Sequence, residues 1–317
     1  MTTSDTDPTR TPGGNTTGNG DTDTGFRPAI DAHTHVFPEK LMAAIRAAIS
    51  AEAGWSFDNP VTRPAIETTL REAGVLRYVA LPYVTEPGAA AELNSWLLEQ
   101  AAESDRLVPF ATVHPDDDAP GAIARRAFER GARGLKFHCP VQGCSPADPG
   151  IAPALEAAAA ADRPVTYHGG TAPMFEDSPH VGVEPFSEVI ASYPKLRVCC
   201  AHMGTYDTDA FLSLARTHEQ VYLDTTFAMS TQATETMGFD PASIADETLI
   251  ELSGSIMYGS DFPNIPYRYR EERAGLLDRE LPETVVRDLF FETAQEYLRL
   301  DLSPASGPGE TALDAGD

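Results

Sequence analysis

Between residues 29 and 261 the chain passes eight times from a short apolar, often β-branched run to a longer stretch with helical periodicity. The strand-like runs are 29–37, 76–84, 107–114, 134–139, 164–168, 196–202, 221–226 and 256–261. Continuous apolar runs of this kind suit parallel strands covered on both faces. The stretches 41–53 with 63–73, 89–103, 122–130, 153–161, 186–192, 209–217 and 241–252 read as the intervening helices, followed by 268–279 and 282–300. Eight successive βα units imply a closed (β/α)8 barrel, the TIM barrel architecture. The alternative is an open doubly wound sheet. It would bind its ligand at a reversal of strand order, and no glycine-rich phosphate loop marks one.

A chain of 317 residues with 42% hydrophobic content can build one such domain, expected over residues 26–301. Residues 1–25 and 302–317 are Thr-, Asp-, Gly- and Pro-rich and are expected to be disordered tails. No apolar run reaches the roughly 18 residues of a membrane span, and no basic segment followed by an apolar one opens the chain, so a cytoplasmic protein is expected. Cys139, Cys144, Cys199 and Cys200 fit neither a disulfide framework nor a zinc-binding CxxC pattern and read as reduced packing residues.

The formal charge is −25, and of 23 basic residues only Lys40, Lys136 and Lys195 are lysine. This halophilic-type composition disfavours nucleic acid and anionic membrane as partners, since both are bound through basic contacts. It also carries a prediction. Repulsion among the carboxylates reaches furthest at low ionic strength, where the Debye length is about 30 Å at 0.01 M. Melting temperature should climb steeply from low to molar KCl; a flat profile across that range would refute salt adaptation.

The chemistry of the chain gathers at the C-terminal ends of the strand-like runs, where barrels of this design carry their active sites. Asp31, His33 and His35 alternate along the first run and so share a face. Two imidazoles at that spacing can share a cation. Of eight histidines, His33, His35, His114, His138, His168 and His202 lie at or just beyond strand ends, and only His180 and His218 do not. Packing alone gives no reason for six histidines to choose the same end.

The motifs Asp31-Ala32-His33-Thr34-His35, Gly134-Leu135-Lys136-Phe137-His138, Tyr167-His168-Gly169-Gly170, Ala201-His202-Met203-Gly204 and Gly259-Ser260-Asp261-Phe262-Pro263 follow one another in the order of the amidohydrolase superfamily. They most resemble its amidohydrolase 2 branch, similar to aminocarboxymuconate semialdehyde decarboxylase. The resemblance implies that His33, His35 and His168 hold a metal with Asp261 as carboxylate ligand and proton carrier. His202 is implied as acid/base or electrostatic stabiliser, with a supporting role behind a ligand as its alternative. One divalent ion is expected, zinc first and manganese second. Zinc accepts imidazole and carboxylate at about 2.0–2.2 Å.

Lys136 lies on the strand whose end carries a carboxylated, metal-bridging lysine in binuclear relatives, but two residues before His138 and so deeper than that position. In a mononuclear site it would instead be a buried cation facing a carboxylate or an acidic substrate. Lys136 and His138 share a face and, with His114 and Arg63, form the weaker set of substrate-binding candidates. Asp31 could support an imidazole or make a deeper structural bond. Loops 139–150, 169–182 and 262–268 should frame the mouth, with Tyr167, Phe175, Phe227 and Tyr267 as walls.

The expected function is metal-dependent hydrolysis of a small-molecule amide, ester or lactone through a metal-activated water. The alternative is a non-oxidative decarboxylase of a small aromatic or unsaturated carboxylic acid using the same ligands. A metal-binding barrel without catalysis would leave the proton-transfer residues unexplained, and a nuclease would need a basic groove. Barrels of this branch often pair, so a homodimer is a further expectation.

Overall fold

The computed structural model describes residues 27–302. The expected tails, 1–25 and 302–317, lie outside the described residues except for Leu302, which packs on the apolar core. Eight strands follow in order: β1 (Ala29–Thr34), β2 (Val75–Ala80), β3 (Leu107–Pro109), β4 (Leu135–His138), β5 (Val165–His168), β6 (Val198–Cys200), β7 (Val221–Asp224) and β8 (Ile256–Met257). Their ladders are parallel and run β1-β2-β3 and β4-β5-β6-β7-β8. Parallel bridges from Ala111 to Leu135 and from Thr34 to Phe262 join these arcs into a ring. The expected (β/α)8 barrel is the fold.

The strands stop earlier than their apolar runs. β1 ends at Thr34 and β8 at Met257, so His35 and Asp261 lie on the segments leaving the ladder. At Asp261 the cause is local: its φ of 57 takes the chain out of strand geometry. Apolar content marks burial, and burial continues past the last ladder bond. Residues 241–252 form a short 3₁₀ turn, Pro241–Ser243, capped by the Asp240 side chain, and then a helix at Asp246–Glu251. Short helices at Cys139–Gln142 and Ala233–Met237 had too few turns to show a period.

The C-terminal helix Thr293–Leu298 packs Ala294, Tyr297 and Leu298 in one cluster with Ile30, Leu76, Val108, Cys199, Tyr222 and Met257, one residue from each of six strands. Tyr297 also shares a 2.9 Å hydrogen bond with Thr166 of β5. Among the described residues, no helix is long and apolar enough to cross a membrane. All four cysteines are buried and free.

Candidate active site

The strand ends bring five histidines into one cavity of about 490 Å³: His33, His35, His138, His168 and His202, with Lys136 and Asp261. The register explains part of this. His138 and His168 are partners across the β4–β5 ladder, and their rings stack at 4.3 Å and 10°.

Asp261 is the focus. Its Oδ1 lies 3.0 Å from Nε2 of both His33 and His35. Behind them, His33 Nδ1 donates to Asp224 Oδ2 at 2.9 Å, and His35 Nδ1 donates to the Leu81 carbonyl at 2.8 Å. A backbone carbonyl can only accept, so the His35 proton sits on Nδ1 and a neutral ring turns a lone pair toward Asp261. Lone pair then faces carboxylate oxygen, an arrangement that needs a positive charge between them. Burial favours that neutral ring by pushing His35 downward. The donor set therefore fits a divalent cation.

His202 Nε2 and His168 Nδ1 share a hydrogen bond of 3.1 Å. Their other nitrogens, His202 Nδ1 and His168 Nε2, are buried without a partner. Among the described residues, the acidic and imidazole group with ligand atoms all within 4.8 Å of one another is His33, His202 and Asp261. His202 is thus closer to this centre than a purely supporting role requires, while His168 reaches it through His202.

The electrostatics follow from burial set against charge. Burial alone would raise the Asp261 carboxyl, but positive charge on the imidazole side of its Oδ1 holds it well below the usual carboxylate range, whether a second proton on His35 or His33 supplies it or a shared cation does. Asp224, also buried, is likewise held low by the charge and hydrogen bond of His33. It accepts the His202 N–H at 3.0 Å as well, so it fixes two of the three clustered residues. His202 is pushed down to about 4, chiefly by burial and then by the charge of His33. Burial lowers Lys136, against the pull of Asp224 and Asp261. Its Nζ is buried without a hydrogen-bond partner.

Backbone strain concentrates here. His202, Met203, Phe227 and Asp261 all take left-handed φ values between 53 and 57, a conformation that costs about 1–2 kcal/mol for most residues. Glycine allows the loops beyond β5 and β6 to meet: a Cβ on Gly170 would collide with the Gly204 backbone.

Asp31 makes the deeper structural bond. It accepts from Ser260 Oγ at 2.6 Å and Tyr269 OH at 2.9 Å, tying β1 to the segment beyond β8. Burial raises its carboxyl to about 7 against those hydrogen bonds. Arg63 stands away from the cavity, paired with Glu103 at 3.1 Å and Glu67 at 3.6 Å. It opens the helix Arg63–Glu72 and is held by these acidic neighbours. His114 also stands outside the cavity lining: its N–H is held by Asp117 and its Nδ1 accepts the Asp116 N–H. Phe175 and Phe227 form walls as expected. Tyr167 is instead packed in the core, stacked on Phe137 at 5.5 Å. Tyr267 lies one layer back, with its hydroxyl on Glu272 at 2.5 Å. Asp224, Trp55 and Tyr83 complete the site without having been expected. For Asp224 the signal was present: an acid at the end of the apolar run Val221-Tyr222-Leu223.

Solved structures share this architecture. An uncharacterized TIM-barrel protein from Bordetella bronchiseptica superposes with a TM-score of 0.67 at 14% identity, covering 86% of this chain and 98% of its own. A proposed 2-pyrone-4,6-dicarboxylic acid hydrolase from Pseudomonas putida gives 0.61 at 16% identity, covering 87% and 99%. A 5-carboxyvanillate decarboxylase from Novosphingobium aromaticivorans, complexed with manganese and 4-hydroxy-3-methoxy-5-nitrobenzoic acid, gives 0.55 at 17% identity, covering 86% and 96%. Decarboxylases of aromatic acids recur among the other similar structures. No protein of curated function matches the chain by sequence. The family model described as amidohydrolase matches residues 30–300. Together with the order of the strand-end motifs, that match over nearly the whole barrel means that the chain belongs to the amidohydrolase 2 family.

Proposed function

We propose that the chain is a metal-dependent, non-oxidative decarboxylase of a small aromatic or unsaturated carboxylic acid. The observation that carries this reading is Lys136, whose buried side-chain nitrogen has no hydrogen-bond partner and lines the cavity beside Asp261 and the imidazoles. A buried unpaired charge is costly, and a substrate carboxylate or phenolate would satisfy it. The decarboxylases among the similar folds lend support.

In this reading His33, His35, His168 and Asp261 hold the metal, and the proximity of His202 to His33 and Asp261 supports placing it beside the substrate. A bound divalent ion, zinc or manganese, would supply a Lewis acid for an anionic substrate oxygen. Lys136 pairs with a second oxygen and fixes the acid in orientation. Asp261 takes up a proton from solvent and passes it to the carbon: the bond to the carboxyl breaks, CO₂ leaves, and the electron pair left on carbon takes that proton. His202, kept neutral by burial and bonded to His168, orients the substrate. Phe175, Phe227 and Tyr83 exclude water around the ring.

Hydrolysis of a lactone, ester or amide is the second reading, favoured by the same position of Asp261, which suits moving a proton from water to a leaving group. Metal-loaded protein tested on aromatic acids, lactones, esters and amides separates the two. CO₂ release from an acid is the expected result; turnover confined to lactones, esters or amides, without CO₂, would establish hydrolysis instead. Elemental analysis should give one divalent ion per chain, and the intact mass should match an unmodified Lys136. Two ions, or a mass gain of one CO₂, would make the centre binuclear.

A further inference from the structure

We infer that Glu52 sets the charge polarity of the substrate: the cavity accepts acids whose negative charge lies at one end and rejects those with a second carboxylate at the other. This rests on the reading of the substrate as a carboxylic acid.

The cavity is electrically lopsided. Its inner end holds Lys136 and the imidazoles on the strand ends, nearly all buried. Its other wall comes from the last turns of the helix Glu39–Ala53, with Ala48, Ile49 and Glu52 facing the space and Trp55 just beyond. Glu52 is solvent-exposed, so this wall stands toward the mouth. Among the described residues no arginine lines the cavity, and Arg63 is held elsewhere by Glu67 and Glu103. A second carboxylate directed outward would therefore meet mostly apolar side chains, neutral polar groups such as Thr236 and one acid, with no cation to receive it. The net charge of −25 acts in the same direction. An uncharged or cationic outer group fits instead. The acids after which two proteins of similar fold are named, 5-carboxyvanillate and 2-pyrone-4,6-dicarboxylic acid, carry two carboxyl groups; the charge distribution inferred for this cavity differs from theirs.

Glu52 can be replaced without disturbing the helix, because it is exposed and near the C-terminus, where arginine is tolerated well. Calorimetric titration with benzoate and terephthalate, two unreactive probes, tests the inference on the full-length wild type, Glu52→Gln and Glu52→Arg. Wild type should prefer benzoate. Glu52→Gln should narrow that preference about threefold and Glu52→Arg about tenfold, the range of a partly screened charge and its reversal. The benzoate affinity should stay within about twofold throughout, and molar salt should shrink the differences. An unchanged ratio in Glu52→Arg, equal shifts for both acids, or no binding of either acid to wild type would overturn the inference. Failure of the decarboxylase reading shows separately, as benzoate binding with no CO₂ released from any acid; the ratio still decides the role of Glu52.

Discussion

Asp261→Asn is expected to fold like the parent and to lose about 10²–10⁴-fold in turnover, the usual cost of removing an acid–base group. The reason lies in how the residue is built in. Its structural bonds are made by the backbone: its N–H donates to the His33 carbonyl at 2.8 Å, and its carbonyl accepts from Asn264 at 2.9 Å. Its φ of 57 is one that asparagine tolerates better than most residues. The carboxylate itself contacts His33 and His35. Asparagine thus preserves the turn and removes only the charge and basicity. A structural role would predict the reverse, with little change in either stability or rate. Melting temperature and turnover on the substrate found by the CO₂ assay, measured side by side, decide the matter. Parental turnover in the variant would make Asp261 a turn former and rule it out as the proton carrier.

The same residues show how far the sequence could be read. The eight apolar runs were legible because strands covered on both faces need continuous apolar side chains, and their order gave the barrel. Their ends were not, because residues 35–37 and 81–84 remain largely buried after the ladder stops. His33, His35 and Asp261, which the motif resemblance grouped with His168, are neighbours in the fold. Asp224 was missed: its place at the end of an apolar run was visible, but its partner His33 lies 191 positions away. Arg63 shows the opposite error. An arginine following the first βα unit looked able to reach the site, but Glu67 and Glu103, one helical turn and 40 positions away, hold it. Aromatic walls were half legible. Strand alternation cannot separate Tyr167, which packs in the core, from side chains on loops that face the cavity.

Lys136→Met should raise the stability of the metal-free protein while abolishing action on acids. Methionine has similar length and no charge, so it fills the space of the lysine stem and removes an ammonium that is 1% exposed and lacks a hydrogen-bond partner. Removing a buried donor that lacks a partner relieves its desolvation cost, about 1–3 kcal/mol. For a domain of this size each kcal/mol moves the melting temperature by roughly 2–4 °C. The opposing effect is the loss of a cation near Asp224 and Asp261. It is the smaller one, since Asp224 keeps its 2.9 Å bond to His33 and Asp261 keeps both imidazoles. Function moves the other way. Without Lys136 the substrate carboxylate is desolvated against methionine, and leaving a buried charge unpaired costs about 3–5 kcal/mol, or more than about 10²-fold in kcat/KM. Lys136→Arg retains charge in a bulkier group and should recover part of the activity without the gain in stability. Thermal melts of the metal-free variants, with kcat/KM on an acid and on a neutral ester, test both halves. A variant that melts lower than the parent and still releases CO₂ at the parental rate would show that Lys136 supports the barrel and takes no part in binding the substrate.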